Sequence, residues 1–177
     1  MATSRWTCQP QWSWLVGQNP SGPATLWSKR VVRGDQVVEA PLGPLMHGGY
    51  GPGAEIFGRL RLSICGDGAD PWSGYTVELG TGEKDVYTLY RRHEAVASVP
   101  DRLPHWREVH NAWFDLRLER EGDEVRATFH GRPLLSWRDA QPLGDGQVCL
   151  WTESNGIVTP YVAVYGKSAA ARIAAAR

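Results

Sequence analysis

Phe114-Asp115-Leu116-Arg117-Leu118-Glu119-Arg120-Glu121-Gly122-Asp123-Glu124-Val125-Arg126-Ala127-Thr128-Phe129 decides the fold class. Phe114, Leu116 and Leu118 alternate with Asp115, Arg117 and Glu119; past Glu121-Gly122-Asp123 the apolar series resumes at Val125, Ala127 and Phe129. Successive side chains of a strand point to opposite faces, so this period of two predicts a hairpin with one buried and one wet face. Upstream, Leu60, Leu62 and Ile64 alternate with Arg59, Arg61 and Ser63, and Tyr75, Val77 and Leu79 alternate with Thr76 and Glu78. Val86 to Arg91 follows a polar connection bearing Gly80 and Gly82, and His93 to Val99 makes a further short strand. Downstream, His130-Gly131-Arg132-Pro133 turns the chain into Leu134 to Trp137, and Gln147 to Thr152 follows Gly144-Asp145-Gly146. Ser154-Asn155-Gly156 separates that segment from Ile157 to Tyr165, where Pro160 suits a bulge or an edge. Thr25 to Val32 and Gln36 to Leu42 flank Arg33-Gly34-Asp35, a plain hairpin turn rather than an adhesion motif. About ten to twelve short strands with no βαβ alternation predict an all-β fold, an antiparallel two-sheet sandwich.

Two stretches break the rhythm. Leu42 to Phe57 carries Gly43, Pro44, Gly48, Gly49, Gly51, Pro52 and Gly53, a long loop of the kind that often carries function. Residues 167–177, KSAAARIAAAR, are rich in alanine and read either as a short docked helix or as a frayed tail. The expected organisation is one sandwich domain over residues 1–166 followed by this tail.

Composition narrows the partners. The 177 residues balance 19 Lys and Arg against 19 Asp and Glu, so neither nucleic acid nor an anionic membrane is expected as the main partner. The first twenty residues hold no apolar run of signal-peptide length, which predicts a cytoplasmic protein unless the chain begins inside a longer one. Cys8, Cys65 and Cys149 have no metal-ligand or CxxC spacing, and Cys65 and Cys149 read as small buried hydrophobes. No metal or cofactor is expected. Asp67 and Asp70 bracket Gly68-Ala69 and fit a turn better than a calcium loop, and the five His are scattered.

Asn111-Ala112-Trp113-Phe114, the hairpin beyond it, Trp137-Arg138-Asp139-Ala140-Gln141-Pro142-Leu143 and Gly146-Gln147-Val148-Cys149-Leu150-Trp151 together resemble a known pattern. It is that of the concanavalin A-like lectin/glucanase superfamily, in its laminin-G-like and keto-disaccharide-hydrolase-like members. Ser73 to Leu79 and Leu89 to Arg92 resemble the central hairpin of those domains, and Asn155 to Tyr165 their closing strand. The likeness spans residues 25–166. It implies a jelly roll whose concave sheet binds or cleaves glycans. The departure is the missing ExDxE cluster of the glucanases; Asp115-Leu116-Arg117-Leu118-Glu119-Arg120-Glu121 instead sets an arginine between its acids, as on a solvated face of ion pairs.

Nine Trp in this length point the same way, because indole rings stack on the C–H faces of sugars. Trp113, adjoining a strand start, is expected in the core. The candidate ligand contacts are Arg61, Trp72, Glu78, Tyr87, Arg91, Trp151, Glu153 and Asn155, with the first reading a carbohydrate-recognising groove on the concave sheet. The alternative is a glycoside hydrolase or polysaccharide lyase, in which Glu78 pairs with Glu153 or Asp70, and His93 or Tyr87 serves as base beside Arg91. A structural or protein-interaction domain is the third reading. The expected partner is an oligosaccharide or polysaccharide.

Overall fold

The computed structural model describes residues 5–8, 14–45, 59–79, 86–100 and 113–170. Twelve strands form in chain order: β1 (Arg5–Cys8), β2 (Leu15–Trp27), β3 (Arg30–Leu45), β4 (Leu60–Gly66), β5 (Tyr75–Leu79) and β6 (Val86–Arg91). They continue as β7 (Glu94–Pro100), β8 (Phe114–Glu121), β9 (Glu124–Phe129), β10 (Arg132–Arg138), β11 (Gln147–Thr159) and β12 (Ala163–Ala170). One layer runs β1-β2-β11-β4-β5-β6-β7, the other β10-β9-β8-β3-β12, every pairing antiparallel. Strand β3 joins them: Gln36 to Leu42 pairs with β8, and Gly43 to Leu45 pairs with β11 in the opposite layer.

The inner faces are those the alternation marks. Leu60, Leu62 and Ile64, Tyr75, Val77 and Leu79, Phe114, Leu116 and Leu118, and Val125 and Ala127 are all buried in one core. Tyr87 and Phe129 meet across the layers with ring centroids 5.5 Å apart. The outer face of the five-stranded layer carries Asp115, Arg117 and Glu119 of β8. Glu119 accepts from Arg117 at 2.8 Å and from Arg126 at 2.7 Å, and Arg117 also reaches Glu39 at 3.1 Å. Burial works against the Glu119 carboxylate, yet hydrogen bonds from Arg126 and Arg117 hold its pKa below the usual range.

Four expectations are corrected by the chain's path. Arg33-Gly34-Asp35 is not a hairpin turn but a bulge inside β3. The β12 register passes from Gly166 opposite Gln36 to Lys167 opposite Arg33, leaving Gly34 and Asp35 extra. Gly34 there has φ +64°, a left-handed conformation that glycine adopts without steric cost. Strand β11 runs unbroken through Ser154-Asn155-Gly156, with Ser154 at φ +52° and a register shift between Glu153 and Asn155. Lys167 to Ala170 extends β12 against Arg30 to Arg33 and is not helical, since ladder pairing overrides alanine's helix propensity. Of the glycine-rich stretch, Leu42 to Leu45 belongs to β3 and residues 46–57 lie outside the described residues, as do residues 171–177. Trp113 is half-buried, its ring edge-on to Trp14 at 5.0 Å.

Candidate functional site

The outer face of the seven-stranded layer collects the polar positions of four strands. Register places Trp151 (β11), Arg61 (β4), Glu78 (β5) and Thr88 (β6) in one row, and Cys149, Ser63, Thr76 and Tyr90 in the next. Over these rows folds the β4–β5 loop, Asp67 to Gly74. Asp67 Oδ1 accepts from the amides of Ala69 at 2.8 Å and Asp70 at 2.9 Å, and Asp70 Oδ1 accepts from the amide of Trp72 at 3.0 Å. These side chain-to-backbone bonds are the turn chemistry that aspartate favours. Gly74 closes the loop where a Cβ would stand 2.0 Å from the carbonyl oxygen of Ile64. Gly74→Ala is therefore expected to destabilise the fold by more than about 2 kcal/mol in chemical denaturation, because backbone on both sides would have to move.

The loop delivers Trp72 onto the sheet. Its ring meets Trp151 edge-on at 4.8 Å and Tyr90 edge-on at 5.0 Å. Arg61 lies against both indoles, its guanidinium carbon 4.1 Å from the Trp151 ring centroid and 4.9 Å from that of Trp72. Arg61 Nε donates to Glu78 Oε2 at 2.6 Å and Nη1 donates to Glu153 Oε2 at 3.5 Å. Ser63 Oγ donates to the Pro71 carbonyl at 3.2 Å and accepts from Trp151 Nε1 at 2.8 Å, so Thr76 Oγ1, also at 2.8 Å, is the donor of that pair. Sheet and loop are thus locked by a dry, bonded layer. Arg61 is 1% exposed and Trp151 0%, which makes both the floor of the site and leaves them no surface for a ligand.

Five of the eight expected contact residues meet here: Arg61, Trp72, Glu78, Trp151 and Glu153. Tyr87 does not. It stands opposite Leu79 on the inner face, 3% exposed against Phe129. Arg91 does not either. It pairs with Tyr75 in register and donates from Nε to Asp139 Oδ2 at 2.6 Å at the end of the sandwich. The side chain of Asn155 lies outside the described residues. Parity within β6 carries the signal, because Tyr87 and Arg91 share a face with the core residue Leu89.

The enzyme constellations assemble poorly. Glu78 and Glu153 do converge, but on the guanidinium of Arg61, which occupies the space a glycosidic oxygen and a water would need. Glu78 Oε1 is engaged as well, by Tyr90 Oη at 3.4 Å and Arg59 at 3.8 Å. His93 is exposed and lies 3.5 Å from Asp70, away from the buried Tyr87. Among the described residues no three His, Cys, Asp or Glu side chains gather to hold a metal ion.

Next to this floor opens a cleft of about 480 Å³ at the end of the sandwich. Its walls come from three connections: the β4–β5 loop with Asp67, Asp70 and Trp72, the β6–β7 turn with Arg92 and His93, and the β10–β11 connection with Leu143 to Asp145. The Arg92 amide donates to the Gly74 carbonyl at 2.7 Å and fastens turn to loop. Arg92 pairs with no carboxylate among the described residues. Cys65 also lines the cleft, but its thiol is buried, and burial pushes its pKa up to about 12, so it is no nucleophile. The signals missed in the sequence are Arg92, in a turn set by its φ of +56°, and Asp145, hidden in a Gly-Asp-Gly turn.

No protein-family profile matches the chain, and no curated protein does. Solved structures do. A carbohydrate-binding module of the CBM66 type from Bacillus subtilis superposes with a TM-score of 0.71 at 17% identity, covering 93% of this chain and 92% of that one. The fold is a concanavalin A/galectin-like jelly roll. A Bacillus subtilis protein of unknown function with a galectin-like fold gives 0.70 at 15% identity, covering 97% of this jelly roll and 90% of its own chain. The metal-free carbohydrate recognition domain of Emp46p gives 0.66 at 12% identity, covering 94% and 88%.

Proposed function

We propose that this jelly roll is a non-catalytic carbohydrate-recognising domain whose ligand seats in the cleft beside Trp72. One observation carries the reading: a half-buried indole, braced by Trp151, Tyr90 and Arg61, lines one cleft with Asp70, Arg92 and His93. Sugars need both elements, an apolar ring for their C–H faces and charged planar groups for paired hydroxyls. The cleft volume falls in the usual range of small-molecule sites, about 300–1,000 Å³. The carbohydrate-binding module and the carbohydrate recognition domain that share this fold add support, although a fold by itself does not fix a function.

A glycan array followed by calorimetry tests it. The intact protein is expected to bind, and Trp72→Ala to weaken that binding at least about tenfold with the circular dichroism of the sheets retained. Silence in both assays from folded protein would end the proposal.

A further inference from the structure

We infer, resting on the carbohydrate reading above, that the cleft selects neutral sugars and rejects uronates, with Asp67, Asp70 and Asp145 as the residues that set this preference. All three line the cleft, against a single guanidinium, that of Arg92. Each is tethered through Oδ1 to backbone: Asp67 to the amides of Ala69 and Asp70, Asp70 to that of Trp72 at 3.0 Å, and Asp145 to that of Gly34 at 2.9 Å. The tethers fix the carboxylates in place. Partial burial would raise the Asp67 pKa, but the amide bonds outweigh it and hold the value below the ordinary range.

The second oxygens of Asp70 and Asp145 are only loosely engaged. Asp70 Oδ2 lies 3.5 Å from His93 Nε2, and Asp145 Oδ2 lies 3.9 Å from Arg33 Nε, with Asp70 48% and Asp145 52% exposed. Ionised carboxylates only accept hydrogen bonds, so the groups they suit are donors, which sugar hydroxyls are. A uronate carboxylate offers no donor at neutral pH and meets like charge from three sides. Trp72 is indifferent to this difference, since its ring reads the C–H face that a sugar and its uronate share.

The test titrates oligosaccharides of galactose, glucose and mannose beside the uronates of the same three sugars, in EDTA, at low and high ionic strength. The comparison is repeated with the double variant Asp70→Asn, Asp145→Asn, in which the amide oxygen keeps each backbone tether while two charges go. The intact protein is expected to bind at least one neutral series, with the matching uronate at least about tenfold weaker. The double variant should narrow that ratio by about tenfold, and high salt should narrow it in the intact protein alone. Uronate binding as tight as neutral binding, or a ratio unmoved in the variant, overturns the inference and leaves the carbohydrate reading standing. Binding to neither series by folded protein overturns the inference, and a glycan array that is silent as well overturns both.

Discussion

Arg61→Ala is expected to cost about 3–5 kcal/mol of folding stability, the range for breaking a buried ion pair by removing one partner. The guanidinium is 1% exposed and its main acceptor, Glu78, has a side chain only 5% exposed, so truncation leaves a carboxylate shut away without its nearest cation. Arg59 at 3.8 Å is a poor substitute, because its side chain is 59% exposed and screened by water. Truncation also opens a void beside the rings of Trp72 and Trp151, against which Arg61 now packs. Arg61→Lys should recover little, because an ammonium neither packs flat against an indole nor donates along two directions from one plane. The double variant Arg61→Met, Glu78→Gln removes both charges and should lose much less than the sum of the single changes. Urea unfolding of the wild type, Arg61→Met, Glu78→Gln and the double variant measures the coupling. A cost below about 1 kcal/mol for Arg61→Ala would mean that the guanidinium is far wetter than its surroundings imply.

That cluster was half legible in the sequence. Period two alone sets Arg61, Glu78 and Trp151 on the faces opposite Leu62, Val77 and Leu150, and pairing then lines them up in one row. The covering loop was not legible. Nothing in Asp67-Gly68-Ala69-Asp70-Pro71-Trp72-Ser73 announces that two Asx-type turns swing Trp72 back over the sheet, which turns an expected open groove into a packed floor. Arg91 and Tyr87 fit the chemistry of the site but not its face, because both stand at the parity of the core residue Leu89 in β6. Arg33-Gly34-Asp35 and Lys167 to Ala170 show a different limit. Turn chemistry and helix propensity are local preferences, and long-range pairing between β3 and β12 decides what those residues become. The cleft draws on Cys65 to Ser73, on Arg92 and His93, and on Leu143 to Asp145, connections far apart in the chain, so only tertiary packing brings its walls together.

The second large effect is expected at Asp139, which holds the far wall of that cleft. It is 5% exposed, and its carboxylate accepts from Tyr75 Oη and Arg91 Nε, both at 2.6 Å, and from the Gln141 amide at 2.8 Å. Burial, reinforced by the hydrogen bond to Asp139, pushes the Tyr75 pKa up to about 12, so the phenol stays protonated and donates. The same Tyr75 Oη accepts from the Leu143 amide at 2.8 Å, and Arg91 Nη2 donates to the Gln141 carbonyl at 3.0 Å. Arg120 completes the brace by donating to the Leu143 carbonyl at 2.5 Å and to the carbonyl of Gly34. Asp139→Ala strips the hub from these bonds and is expected to cost about 2–4 kcal/mol. By freeing the connection that carries Leu143 to Asp145 it should also weaken the proposed glycan binding, although Asp139 does not line the cleft. The pH dependence has a fixed sign. Burial would raise the Asp139 pKa, but the bonds from Tyr75, Arg91 and Gln141 win and depress it. A depressed carboxylate contributes its full stability above the unfolded value, about 3.9, and loses it as pH falls from there through the folded value. Wild-type stability should therefore drop below about pH 4 more steeply than that of Asp139→Asn, which has no proton to take up. Asp67 and Glu119 are depressed too, so the variant's acid limb should be shallower rather than flat. Parallel acid limbs for wild type and Asp139→Asn in thermal melts would show that this carboxylate is not bound as tightly as three donors require.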